Sequence, residues 1–101
     1  MARGKSSNDQ KRGKLSRKRI TVHERKLGKE KAVGLAYYDF YGGGKSLIEI
    51  DPRQGSKDYL DTLIHEALHT IYPDMSETEV HKTSGRLTRL IWRQGYRRIQ
   101  E

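Results

Sequence analysis

The sequence predicts an α+β domain, with a small antiparallel sheet of two to three strands followed by two helices. Three observations point there. β-favouring runs separated by glycine turns fill the stretch from Ile20 to Asp51. After Pro52 the apolar period changes from two to about 3.6. A proline and a capping sequence then divide the helical part in two. Of the formal charge of +8 on the 101 residues, most sits in residues 1–19, where eight cations stand against Asp9 alone. Such a stretch buries too little apolar surface to offset its ordering entropy. Residues 1–19 are therefore expected to form a disordered basic tail, and residues 20–101 a single folded domain.

The first strand is expected at Ile20-Thr21-Val22, extending toward Leu27, with Gly28 marking a turn. A second runs from about Ala32 to Tyr41 and is rich in aromatics, which pleated surfaces favour. Tyr37, Tyr38, Phe40 and Tyr41 in it are expected to pack across the sheet. Gly42-Gly43-Gly44 turns the chain into a third strand, Ser46 to Asp51, and the last two strands should form an antiparallel hairpin. The first helix spans about 57–72, where Leu60, Leu63, Ile64, Ala67, Leu68 and Ile71 recur at helical spacing until Pro73. Ser76-Glu77-Thr78-Glu79 is a capping-box sequence that opens the second helix. Its apolar stripe is Val80, Leu87, Leu90 and Ile91, and Gly95 closes it.

Composition excludes several classes. There is no cysteine, hence no disulfide framework and no thiolate metal site. No apolar run approaches the roughly 18 residues of a membrane span. The basic N-terminus is not followed by the apolar segment of a secretory signal. A cytoplasmic protein with no membrane partner is the expectation.

The chemistry is carried by His65-Glu66-Ala67-Leu68-His69, an HExxH sequence. On a helix, residues i and i+4 lie one turn apart on one face, so both imidazoles can reach one metal ion. Neutral imidazole nitrogens suit zinc. Glu66 points about 100° away from His65. It can face a metal-bound water without being a ligand, as a general base must. Measured from Leu60, the apolar positions lie within about 80° of a common direction, while His65 and His69 lie at about 140° and 180°. The histidines thus form a separate stripe beside the buried face, where a cleft could lie. A third ligand is required, and Asp74, Glu77, Glu79 and His81 stand just beyond Pro73. Helical phase favours Glu77, with His81 as the alternative third ligand. Glu79 already has a role in the cap, and the ligand could also come from a second molecule.

This motif, with Pro73-Asp74-Met75-Ser76-Glu77 and Leu90-Ile91-Trp92-Arg93-Gln94-Gly95-Tyr96-Arg97 after it, resembles the small zincin-like metallopeptidases found largely in bacteriophage genomes. It is more distantly similar to SprT-like and ImmA-like zincins. The likeness covers roughly residues 30–98. It implies a Zn2+-dependent peptidase acting on a protein or peptide, in the host cytoplasm if phage-encoded. His65, His69 and Glu77 would be the metal ligands and Glu66 the catalytic base. Zincins lay substrate along an edge strand preceding the motif helix, a role that would fall on Ser46 to Asp51. No glycine directly follows the motif, which sets the chain apart from metzincins.

Smaller expectations complete the reading. Tyr72 could serve an oxyanion but is better read as packing or surface. His23 is an ordinary strand residue. Arg86, Arg89, Arg93, Arg97 and Arg98 should form a solvated helical face that extends a basic surface together with the tail. The tail is either a solubilising arm or supports a second class of function, since its cations would attract phosphate backbones without sequence preference. The alternatives to a peptidase are therefore a nucleic-acid-binding protein stapled by zinc, or a metal-dependent nuclease.

Overall fold

A computed structural model of the chain describes residues 19–37 and 45–99. Residues 1–18 of the basic tail, and Tyr38, Phe40, Tyr41 and the Gly42-Gly43-Gly44 turn, lie outside them. The elements are β1 (Ile20–Glu24), β2 (Gly34–Tyr37), β3 (Ser46–Ile50), α1 (Ser56–Ile71) and α2 (Glu77–Arg93). The fold is α+β, as the change of period foretells. No helix among the described residues is long and apolar enough to cross a membrane.

The sheet departs from the all-antiparallel expectation. Its order is β1-β3-β2, with β2 antiparallel to β3 and β1 parallel to it. The expected hairpin of the second and third strands is present, in the register Gly34 opposite Ile50 and Tyr37 opposite Leu47. What the strand patterns could not reveal is that β3 inserts between β1 and β2. The loop of residues 25–33 accordingly crosses the C-terminal end of β3, donating from Arg25 N to Ile50 O at 3.0 Å and receiving from Asp51 N at Val33 O at 2.9 Å. A central β3 also overturns the assignment of Ser46 to Asp51 as a substrate edge, because both its sides are already paired.

Asp51 ties this crossover down. It is buried, and its carboxylate accepts hydrogen bonds from Leu27 N (2.9 Å) and from Arg53 N, Nε and Nη2 (3.0, 2.9 and 2.6 Å). These donors, the Arg53 guanidinium first, hold the carboxyl well below the usual aspartate range. Gln54 continues the network, donating to Asp51 O at 2.9 Å and accepting from Thr62 Oγ1 of α1 at 2.8 Å.

Side chains alternate across the sheet. Ile48 and Ile50 face α1 and form the core with Tyr59, against which Ile20, Leu63 and Ala67 pack. Ile48 and Ile50 are fully buried, and such burial is worth roughly 1.5–3 kcal/mol per side chain. On the opposite face Glu49 accepts from Arg25 Nη2 at 3.0 Å and from the Tyr37 hydroxyl at 3.1 Å. Tyr59 of α1 donates its hydroxyl to Glu24 at the end of β1 (2.6 Å), and Arg98 of the C-terminal segment pairs with the same carboxylate and lies over the Tyr59 ring.

Burial on the helices is shifted from the expected stripes. In α1 the most buried residues are Tyr59, Thr62, Leu68 and Thr70, while Ile71 is exposed. In α2 they are Val80, Ser84 and Thr88, whereas Leu87 and Leu90 are exposed. Small hydroxyl residues occupy the seam between the helices, and Thr88 donates to Asp61 across it at 3.2 Å. Periodicity locates a stripe, but the position of the neighbouring element decides which flank of it is covered.

Candidate metal centre

The candidate centre is built where α1 hands over to α2. Helix α1 ends at Ile71, and Tyr72 N donates to Leu68 O at 2.8 Å. Met75 N then donates to Tyr72 O at 2.9 Å, closing the turn that Pro73 enforces. Ser76 caps α2, its hydroxyl oxygen accepting from Glu79 N at 3.1 Å. Val80, one turn into α2, is fully buried. The short turn, the cap and this buried anchor set the first turn of α2 beside the last turns of α1.

Glu77, the first residue of α2, thereby meets both histidines of α1. Its Oε2 lies 3.2 Å from His65 Nε2 and its Oε1 lies 3.0 Å from His69 Nε2. The His65 and His69 rings are 5.0 Å apart between centroids and meet edge to face. One donor atom from each of these three residues lies within 4.8 Å of the others, an arrangement that could hold a metal ion. Around a tetrahedral ion with bonds near 2.0–2.1 Å, donor atoms sit about 3.3 Å apart. The two nitrogen–oxygen separations, each to a different Glu77 oxygen, are close to that spacing, and two imidazoles with a carboxylate suit an ion in their chemistry. The imidazoles are half-buried and the Glu77 side chain is 70% exposed, which leaves the centre open on the α2 side.

His81, the alternative third ligand, stands one step outside. Its ring meets that of His65 edge-on at 6.2 Å between centroids, and it is not part of the converging trio. Glu79 contributes its backbone to the cap, and Asp74 is exposed in the turn. Tyr72 is exposed, and His23 is an exposed residue of β1.

Glu66 lies on the sheet side of α1. Its carboxylate has no hydrogen-bond partner among the described residues, yet no fully buried polar side-chain atom lacks one, so its oxygens reach solvent. Burial, the largest cause, pushes this carboxyl above the usual glutamate value. The neighbouring His65 and His69 oppose the shift and Glu77 adds to it.

Gly34 is a site residue not anticipated from the sequence. It begins β2 on the face toward α1, and a Cβ there would fall 2.5 Å from Thr62 Cγ2, 3.0 Å from Glu66 Cγ and 3.2 Å from Glu66 Oε2. Only glycine lets the strand come this close to Glu66. A glycine inside a strand pattern is itself the signal that could have found it. Against protein-family models, curated proteins and solved structures alike, the chain has no match.

Proposed function

We propose that this chain is a metal-dependent hydrolase, and specifically a zinc peptidase of the zincin type. The observation that carries the reading is the convergence of His65, His69 and Glu77, with the partly buried Glu66 carboxylate beside them and without a hydrogen bond among the described residues. Two imidazoles and one carboxylate favour zinc over the harder cations. When bound, such an ion supplies Lewis acidity and lowers the pKa of water. Glu66, held near that point by α1 and shielded by the close approach of Gly34, takes the proton of the attacking water and passes it to the leaving amide nitrogen. A carboxyl with raised proton affinity is suited to both halves of that transfer. Strand β2 has no strand paired on its outer side among the described residues. Its outer edge at Gly34, next to Glu66, is the place where an extended peptide would add a strand.

A purely structural role for the ion draws less support. Val80, Ser84 and Thr88 already bury the α1–α2 seam, while the centre lies at its rim beside an exposed Glu77.

The test is metal content together with cleavage of casein and a quenched fluorescent peptide library, on wild type and Glu66→Gln. About one zinc per chain is expected in both proteins, as for a single catalytic site. Turnover should fall by roughly 10²–10⁴-fold in the variant. Wild type that takes up no metal, or a variant that keeps its turnover, would refute the assignment.

A further inference from the structure

We propose that the outer face of α2 is a docking ridge for the phosphodiester backbone of nucleic acid, on the side of the helix away from the metal centre. From Val80 to Gln100 the sequence holds six cations and no acid. The structure separates these six into two kinds. Arg97 is engaged, stacked 3.5 Å above the Trp92 ring and donating to Trp92 O and Tyr96 O. Arg98 is engaged with Glu24 and Tyr59. Lys82, Arg86, Arg89 and Arg93 are all exposed, and none has a hydrogen bond or ion pair among the described residues.

These four form one row. Their spacing of four, three and four residues keeps them within about 40° of a common direction around the helix, over roughly 16 Å of its length. Glu77 points about 120–180° away from them, so a partner on the row leaves the centre uncovered. Like charges one turn apart repel, and nothing within the described protein offsets that repulsion here. The row therefore suits a partner that is itself a line of negative charge. Three of the four are arginines, whose planar forks match phosphate oxygens. The row carries no acid, which fits a repeating backbone better than the mixed surface of an acidic protein. Leu87 and Leu90 border the row but are only 37% and 47% exposed, too shallow a strip for insertion into a bilayer. Nothing in the row reads base edges, so binding is nonspecific.

The experiment is fluorescence anisotropy of the full-length chain with a fluorescein-labelled mixed-sequence duplex DNA, and with a single-stranded RNA of equal length, across a salt series. Wild type is compared with Arg86→Gln/Arg89→Gln/Arg93→Gln, and co-sedimentation with phosphatidylglycerol vesicles runs alongside. Loss of three phosphate contacts should weaken duplex binding about tenfold or more and flatten the log–log salt slope by about 2.7. The RNA probe reports which backbone is preferred. Wild-type affinity and slope in the triple variant would overturn the proposal and assign the binding to residues 1–19. So would absence of binding, or a variant defect confined to the vesicles. Far-UV circular dichroism and metal content should be unchanged, and if the triple variant misfolds, single Arg89→Glu is read by the same criteria. The proposal is independent of the hydrolase reading, which failure here leaves intact.

Discussion

Asp51 and Glu66 are both carboxylates drawn into the body of a small domain, and their surroundings are opposite. Asp51 accepts four hydrogen bonds from Leu27 and Arg53 and is held well below the ordinary aspartate range. Glu66 accepts none among the described residues and is pushed upward by burial. One is saturated and belongs to the architecture, fastening the crossover loop over β3. The other has spare capacity at a place where three side chains that could hold a metal ion converge. Hydrogen-bond saturation, more than burial, separates the architectural carboxylate from the one to which the proposed hydrolysis assigns the proton transfer.

The sharpest way to break that contrast is to exchange the consequences. Glu77→Ala should lower zinc affinity by more than about 100-fold, since even residues that only support ligands cost 10–100-fold. It should leave the melting temperature of the metal-free protein near wild type; a competitive chelator titration and a thermal melt would read the two quantities separately. Asp51→Asn should do the reverse, keeping zinc uptake while lowering the melting temperature.

Gly34 joins the two regions. Gly34→Ala places a methyl group against Thr62, which is bonded to the Asp51–Gln54 network, and against Glu66. Overpacking of this kind costs about 1–3 kcal/mol, measurable by urea denaturation. Thr62→Ser removes the clashing methyl group and keeps the hydroxyl, so the double variant should recover most of the loss. No recovery would mean that the backbone of β2, not the side chain, gives way.

Acid titration sharpens the contrast further. Because the folded Asp51 carboxyl is depressed, its contribution to stability is complete above the unfolded value of about 3.9 and is lost as pH falls toward the folded one. The difference in urea midpoint between wild type and Asp51→Asn should be constant from neutral pH to about 5, then shrink below about 4. A constant difference down to the lowest accessible pH would contradict the charge-assisted role. The smallest effect expected is that of Ser76→Ala, which removes the cap beside Glu77 and should cost about 1 kcal/mol by the same denaturation assay.

Much of this was legible in the sequence because it is local. The helix limits follow from Pro52, Pro73, Ser76 and the 3.6-residue period. The trio His65, His69 and Glu77 followed from spacing and phase across a single turn. What was not legible depends on which elements lie side by side over long separations. Nothing in Ile20-Thr21-Val22 says that it runs parallel to β3, and nothing in Ser46 to Asp51 says that it is central. The phase of α2 placed Val80 correctly but could not foresee that Ser84 and Thr88 would be covered while Leu87 and Leu90 stayed exposed. Gly34 showed itself only once Thr62 and Glu66 were seen against it.

The turn at residues 72–76 has one more consequence, for folding. All three converging side chains come from one helical hairpin, between His65 and Glu77, so bringing them together closes only a short loop of chain. An ion with affinity for this set would also find a partial grip on the hairpin before the sheet has formed. Binding to the unfolded chain subtracts from the stabilisation that a ligand confers on the native state. Zinc should therefore raise the melting temperature by less than its affinity for the folded protein implies, while hastening the pairing of the two helices.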